Sequence, residues 1–213
     1  MALPETMRAV VAEGGRLVVR RVPVPKPSDS EVLVRVHATA VNRDDTLQLR
    51  GDSPLPPGTT DVLGLEMAGT VVAGGFGDWK PGDRCMAMVG GGGYADYALV
   101  PEGLLMRVPK KGLDLPSAAG IPETWLTAFS LLHQMGRPGA GDFVLVYAAG
   151  SGVGTAAIQL ASAHGAHVIA TAGSEEKLAT ARRLGATACF NYKEGPFAQG
   201  VLDATGGKGV PRL

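Results

Sequence analysis

The chain has 213 residues, enough for one large domain or two small ones. Its 20 Lys and Arg balance 20 Asp and Glu, so no basic excess points to nucleic acid or to an anionic membrane. Two cysteines, Cys85 and Cys189, exclude a disulfide framework and a four-cysteine zinc site. No run approaches the roughly 18 consecutive apolar residues of a membrane span. The N-terminal MALPETMRAVVAEGG has no apolar signal core, so a cytoplasmic protein in a reducing compartment is expected. Glycine is the outlier, at 31 residues, roughly twice its usual share.

The first half reads as β-structure. RLVVRRVPVP at 16–25 and EVLVRVHATAVN at 31–42 alternate apolar and polar residues at period two, as half-buried strands do. In the second, Val32, Val34, Val36 and Ala38 share one face, and Arg35 and His37 the other. Pro and Gly punctuate often, in PVPKPSD, SPLPPGTT, WKPGDRC and the GGGG run at 90–93, which reads as a loop between strands. Short strands with such turns predict a β-barrel or sandwich.

The texture changes near residue 116. LPSAAGIPETWLTAFSLLHQMG reads as helix with two proline interruptions. FVLVYAA is a continuous apolar run suited to a strand buried on both faces. A Gly-rich turn follows, then the helix TAAIQLASAHGAH, ended by Gly165. HVIATAG is a second strand, SEEKLATARRLGA a second helix and ACFNY a third short strand. This order is the βαβαβ half of a doubly wound parallel sheet. The expected fold class is α/β plus β: a barrel domain over 1–120, then an incomplete Rossmann domain over 121–213. His133, His164 and His167 show no metal-ligand spacing, and Cys189 reads as a buried core thiol.

The strongest local signal is YAAGSGVGTAA at 147–157, between the apolar strand and its helix. A dinucleotide fingerprint sits there because a sharp turn and a close approach to pyrophosphate both demand small residues, and the helix N-terminus offers free N–H groups. Ala148, Ser151 and Gly154 occupy the three key spacings. NAD sites place an acid after the second strand. Here that stretch is TAGSEEK, with Gly173 and Ser174 at the acid's place and Lys177 three residues on. A hydroxyl and an ammonium suit a 2′-phosphate, so NADP(H) is the expected cofactor. The plainer reading has Ser174 as a helix N-cap, with Glu176 and Lys177 as solvated first-turn residues.

Motifs from both halves, in order, carry a resemblance: AVNRDD, PPGTTDVLGLEMAG, VPEGLLM, AAGIPETWLTAFSLLH, SGVGTAAIQLA, TAGSEEKL and LGATACFNYKE. The sequence resembles the medium-chain dehydrogenases/reductases, which join a GroES-like β domain to a Rossmann domain. Within them it resembles the zinc-free quinone oxidoreductases, the zeta-crystallin-like group. Zinc-dependent relatives carry a Cys where this chain has Asn42, and a His where Leu65 precedes Glu66, so no metal site is implied. The implied reaction is hydride transfer from NADPH to a quinone, with an enone reductase as the alternative. By resemblance, Asn42 and Asp45 line the substrate pocket and Thr127 approaches the nicotinamide. Ser151, Gly152, Val153, Gly154 and Thr155 hold the phosphates. Gly173, Ser174, Lys177 and Tyr192 surround the 2′-phosphate and adenosine. Each has a plainer reading: Asn42 as a helix cap, Asp45 as a surface acid, Thr127 as helix packing, Tyr192 as cover for the sheet edge. Ser53 stands where close relatives have a Tyr that faces the acceptor.

Relatives implied by this resemblance are longer and form homodimers. The fourth strand of a full Rossmann sheet would lie beside FVLVYAA. Without it that strand is a bare apolar edge. The expectation is a truncated chain that binds the adenosine end of NADPH but is impaired in positioned hydride transfer, or an inactive isoform that only binds nucleotide.

Overall fold

Two glycines in left-handed conformation, Gly14 (φ 55) and Gly15 (φ 72), close the first hairpin. A two-residue hairpin turn with positive φ at both central positions matches the right-handed twist of its strands. It joins β1 (Thr6–Glu13) to β2 (Arg16–Pro23), paired from Thr6↔Pro23 to Glu13↔Arg16. Met7, Ala9 and Val11 alternate along β1 and are buried. The computed structural model describes residues 3–55, 57–75 and 77–210. They fall into two units, Met1–Glu123 and Thr124–Leu213.

The first unit continues with β3 (Glu31–Ala38), β4 (Glu66–Gly74), β5 (Arg84–Met88), β6 (Tyr97–Pro101) and β7 (Met106–Arg107). These form an antiparallel five-stranded sheet in the order β6-β3-β4-β5-β7. Val32, Val34, Met67, Val71, Cys85, Ala87, Ala98 and Val100 make its core. The alternation expected for β3 holds, with Arg35 and His37 exposed between more buried Val34, Val36 and Ala38, but Leu33 on the second face is as fully buried as Val32 and Val34. The register against β4 shifts between Leu33 and Val34, where β4 carries one extra residue, while the pairing with β6 runs through without a shift. The GGGG run lies between β5 and β6, as a loop. Helix α1 (Arg43–Arg50) follows β3 and ends at Gly51, φ 79. Helix α2 (Leu115–Ala118) is capped by Asp114, whose Oδ1 accepts the Ser117 N–H at 2.8 Å.

Of the two prolines expected to interrupt a helix, Pro116 instead lies in the first turn of α2, and only Pro122 marks a break. Helix α3 (Pro122–Phe129) starts on the second proline and runs into a π-helical segment, Ser130–Gly136. In the second unit β8 (Phe143–Val146), α4 (Gly152–Ala163), β9 (His167–Ala172), α5 (Glu175–Arg183) and β10 (Ala186–Asn191) alternate, followed by α6 (Ala198–Ala204). The three strands are parallel, in the order β10-β9-β8. Fully buried Ile158 of α4 and Val168 and Ala170 of β9 anchor the core, each large aliphatic chain contributing about 1.5–3 kcal/mol. β8 corrects one expectation. It is not buried on both faces: it is the sheet edge, and only Val146 of its four residues is buried. Cys189 is half-buried rather than a core thiol, its Sγ 3.9 Å from the Leu178 carbonyl. Cys85 is fully buried, and burial pushes its thiol up to about 12. No described helix is long and apolar enough to cross a membrane.

Candidate functional site

The nucleotide candidate lies at the carboxyl ends of the three parallel strands, where open α/β sheets bind ligands. Backbone bonds stitch these ends together. The Ala149 N–H donates to the Thr171 carbonyl at 2.9 Å, and the Tyr192 N–H to the Ala172 carbonyl at 3.2 Å. The loop after β8, Gly173 after β9 and Tyr192 after β10 are therefore neighbours.

The loop turns at Ala148, which adopts φ 50. Ser151 is the N-cap of α4, and its Oγ accepts the Gly154 N–H at 3.0 Å. Its hydroxyl thus shapes the loop. The N–H groups of Gly152 and Val153 head the helix, where helix geometry gives them no intrahelical partner. A Cβ at Gly154 would stand 2.5 Å from the Ala148 carbonyl oxygen and 2.9 Å from the Ala149 Cα. Glycine is needed there for the helix to lie against the turn. At Gly152 a Cβ would meet the Thr124 methyl at 2.7 Å. The Thr155 hydroxyl is spent on the Gly152 carbonyl at 2.9 Å.

The second strand's end is equally crowded. A Cβ at Gly173 would lie 2.7 Å from the Tyr192 hydroxyl and 3.0 Å from Lys193 Cε. One at Gly150 would meet Lys177 Cγ and Cδ at 2.7 Å. Lys177 therefore lays its alkyl stem on the phosphate loop, and Tyr192 reaches back over Gly173. Ser174 is the N-cap of α5 by position, yet makes no side-chain capping bond. The capping reading of its hydroxyl is not what the geometry favours. A phosphate-bearing dinucleotide fits this cradle: helix N–H groups without intrahelical partners, glycines that bring the backbone close, and Lys177, which forms no ion pair among the described residues.

The first unit brings Asn42 and Asp45 together. Asn42 is the N-cap of α1, at φ −112 and ψ 163. Asp45 Oδ2 accepts the Asn42 backbone N–H at 2.6 Å and the Tyr94 O–H at 2.8 Å. Asp45 is 4% exposed, so the surface-acid reading fails. Asn42 Nδ2 donates to Glu66 Oε1 at 2.8 Å, and the Glu123 N–H donates to Glu66 Oε2 at 2.9 Å. Glu66 is fully buried. A carboxylate there repels the amide oxygen, so Asn42 must present nitrogen to Glu66 and turn its Oδ1 elsewhere. Burial, then the Glu66 charge, holds the Glu123 carboxyl above the usual range. Burial and the Asp45 bond raise the Tyr94 phenol likewise.

Leu65 precedes Glu66 and is nearly buried. Among the described residues no three of His, Cys, Asp and Glu come together as metal ligands. With Asn42 and Leu65 in place of donors, this set does not fit zinc. Thr127 is exposed on α3 in the second unit, and Ser53 lies half-buried in the turn after α1. Sequence reasoning missed Glu66 and Tyr94 as the partners that hold Asn42 and Asp45. It also did not place Lys193 beside Gly173. The signal for Lys193 was its place just past a parallel strand's carboxyl end.

Comparison with known proteins agrees with both halves. Residues 28–110 match the family described as alcohol dehydrogenase GroES-like domain, and residues 152–212 match zinc-binding dehydrogenase. The chain is 39% identical to a solved structure titled NAD-dependent alcohol dehydrogenase, with TM-score 0.87, covering 96% of this chain and 69% of that one. It belongs to the medium-chain dehydrogenase/reductase family. It is also 36% identical over 192 residues to the quinone oxidoreductase of Sus scrofa, covering 89% of this chain and 58% of that relative. A mycobacterial structure solved in complex with NADPH is 34% identical, with TM-score 0.82, and is covered over 64% of its length by 96% of this chain. The chain thus spans under two thirds of the length of the curated relatives it matches, 58% for the Sus scrofa enzyme.

Proposed function

We propose that this chain carries the acceptor-side domain and the adenosine-side strands of a zinc-independent NADPH:quinone oxidoreductase. The observation that carries the reading is the end of β9. Gly173 and Ser174 stand where an NAD site has its acid, Tyr192 closes on Gly173, and Lys177 sits in the first turn of α5 with its stem on Gly150. An acid would repel a 2′-phosphate, whereas one charge-assisted bond to it is worth about 1.5–3 kcal/mol. Relatives in this family differ in cofactor by title, so the choice rests on these residues.

When bound, the reduced nicotinamide supplies a hydride. The chain's own part is to hold the phosphates on the α4 N-terminus and the 2′-phosphate on Lys177, and to present a fixed Asn42 amide on the acceptor side. The Asn42 side-chain amide is held by Glu66, and its backbone N–H by Asp45, which also accepts the Tyr94 O–H. A quinone needs little electrophilic activation, which suits a site without a metal donor set. Ser53 removes an aromatic surface from the acceptor side, so the enone alternative is decided by the acceptor assay: two-electron loss of a quinone against saturation of a conjugated C=C bond.

Fluorescence titration with NADPH and NADH tests the cofactor. We expect NADPH to bind at least about tenfold more tightly, and Lys177→Ala to remove most of that preference. Equal NADPH affinity in the two proteins would sink the assignment.

A further inference from the structure

Lys177 is one cation near the β9 corner; a second comes from a different element. Lys193 follows Tyr192, just beyond β10, and its Cε lies 3.0 Å from the point a Gly173 Cβ would occupy. Its ammonium is one bond farther on. We infer that Lys193 is a second determinant of 2′-phosphate recognition, acting together with Lys177. The inference rests on the NADP reading and deepens it.

Two local arrangements keep this cation available. The obvious neutralising partner is the adjacent Glu194. Its Oε1 instead accepts from Asn191 Nδ2 at 2.6 Å. The Asn191 Oδ1 in turn accepts the Lys193 backbone N–H at 3.1 Å, which fixes the turn that aims Lys193 back toward Gly173. In the first turn of α5, Glu175 is committed to Arg182. Among the described residues neither Lys177 nor Lys193 forms an ion pair. Gly173 is the residue that lets this happen: any side chain there would occupy the space that Lys193 and the Tyr192 hydroxyl use. Two ammoniums from two elements, with a phenol between them in sequence on one side, match a dianionic phosphate better than one lysine does.

The test compares adenosine 2′,5′-bisphosphate with adenosine 5′-monophosphate, which differ only in the 2′-phosphate, by calorimetric titration of the intact chain. Lys193→Ala should weaken the bisphosphate about tenfold and leave the monophosphate within about twofold. Lys193→Arg should restore most of the bisphosphate affinity, and Lys177→Ala with Lys193→Ala together should abolish discrimination. Because Lys193 is exposed, its thermal unfolding midpoint serves as the folding control. If Lys193→Ala leaves both affinities unchanged, or weakens both equally, the role of Lys193 is overturned while the NADP reading stands. If the unaltered chain does not discriminate between the two ligands, the NADP reading falls and this inference with it.

Discussion

Ala148 shows how a single backbone angle connects sequence to site. It holds φ 50 in the turn that leads from β8 into the phosphate loop. An L-residue in that region costs about 1–2 kcal/mol, which glycine avoids, although glycine also loosens the unfolded chain by about 0.4–1 kcal/mol. Ala148→Gly is therefore expected to stabilise the second unit by about 0.5–1 kcal/mol in urea unfolding, with nucleotide affinity retained. An unchanged or lowered midpoint would show that the strain is absorbed elsewhere. Asn42 makes the opposite point. The residue stands at the N-cap of α1 while its Nδ2 is bonded to Glu66, so capping does not use up its amide nitrogen.

At the scale of elements, the β8–turn–α4 unit depends on how closely the helix lies against the turn. Gly154 sets that distance. A methyl group there would press on the Ala148 carbonyl and the Ala149 backbone, neither of which can swing aside as a long side chain would. Gly154→Ala should destabilise the second unit by about 1–3 kcal/mol and tilt α4 off the loop. The paired readout is thermal unfolding and NADPH titration. Loss of stability with full nucleotide affinity would mean that the helix N-terminus does not bind the phosphates. The same element explains why β8, so apolar in sequence, is only half-buried: it is the last strand of the sheet, with β9 on one side.

For the whole molecule, the acid response is concentrated in Met1–Glu123. The Asp96 carboxyl is held below the usual range by Arg8, Asp83 by the Lys80 N–H and then Arg107, and Asp114 by its bonds to Ser117. A carboxylate depressed in the folded state adds stability above its unfolded pKa and loses it as pH falls through the folded value. Glu123 has the opposite sign: its raised pKa favours the fold at low pH, and that contribution is lost as pH rises through the folded value. Glu13, bonded to Arg20, is depressed as well, so four depressed groups oppose one raised group and the first unit should weaken as pH falls below about 4. Trp79 reports on it, buried beneath Arg107 at 4.3 Å, and Arg107 is paired with Asp83. In a Trp125→Phe chain, Trp79 fluorescence in urea should show a lower midpoint at pH 3 than at pH 6, and Asp96→Asn should narrow the gap. A midpoint independent of pH would mean that these bonds form equally in the unfolded chain.

What the sequence by itself determined is what local physics writes into it. Period-two runs, paired turn glycines and the strand–helix alternation are each set within a few residues, so both halves of the architecture were legible. So was the tight turn between β8 and α4, because its demand for small residues is local. The tertiary structure alone decided the partners. Asn42 meets Glu66 from 24 residues away, and Asp45 meets Tyr94 from 49. Lys193 reaches Gly173 only because β9 and β10 pair in parallel. The same holds for burial: Leu33 is fully inside although it lies outside the core cluster that Val32 and Val34 fill on the other face of β3. Such contacts have no period to read, since they arise when distant segments share one core and must satisfy each other's polar groups there.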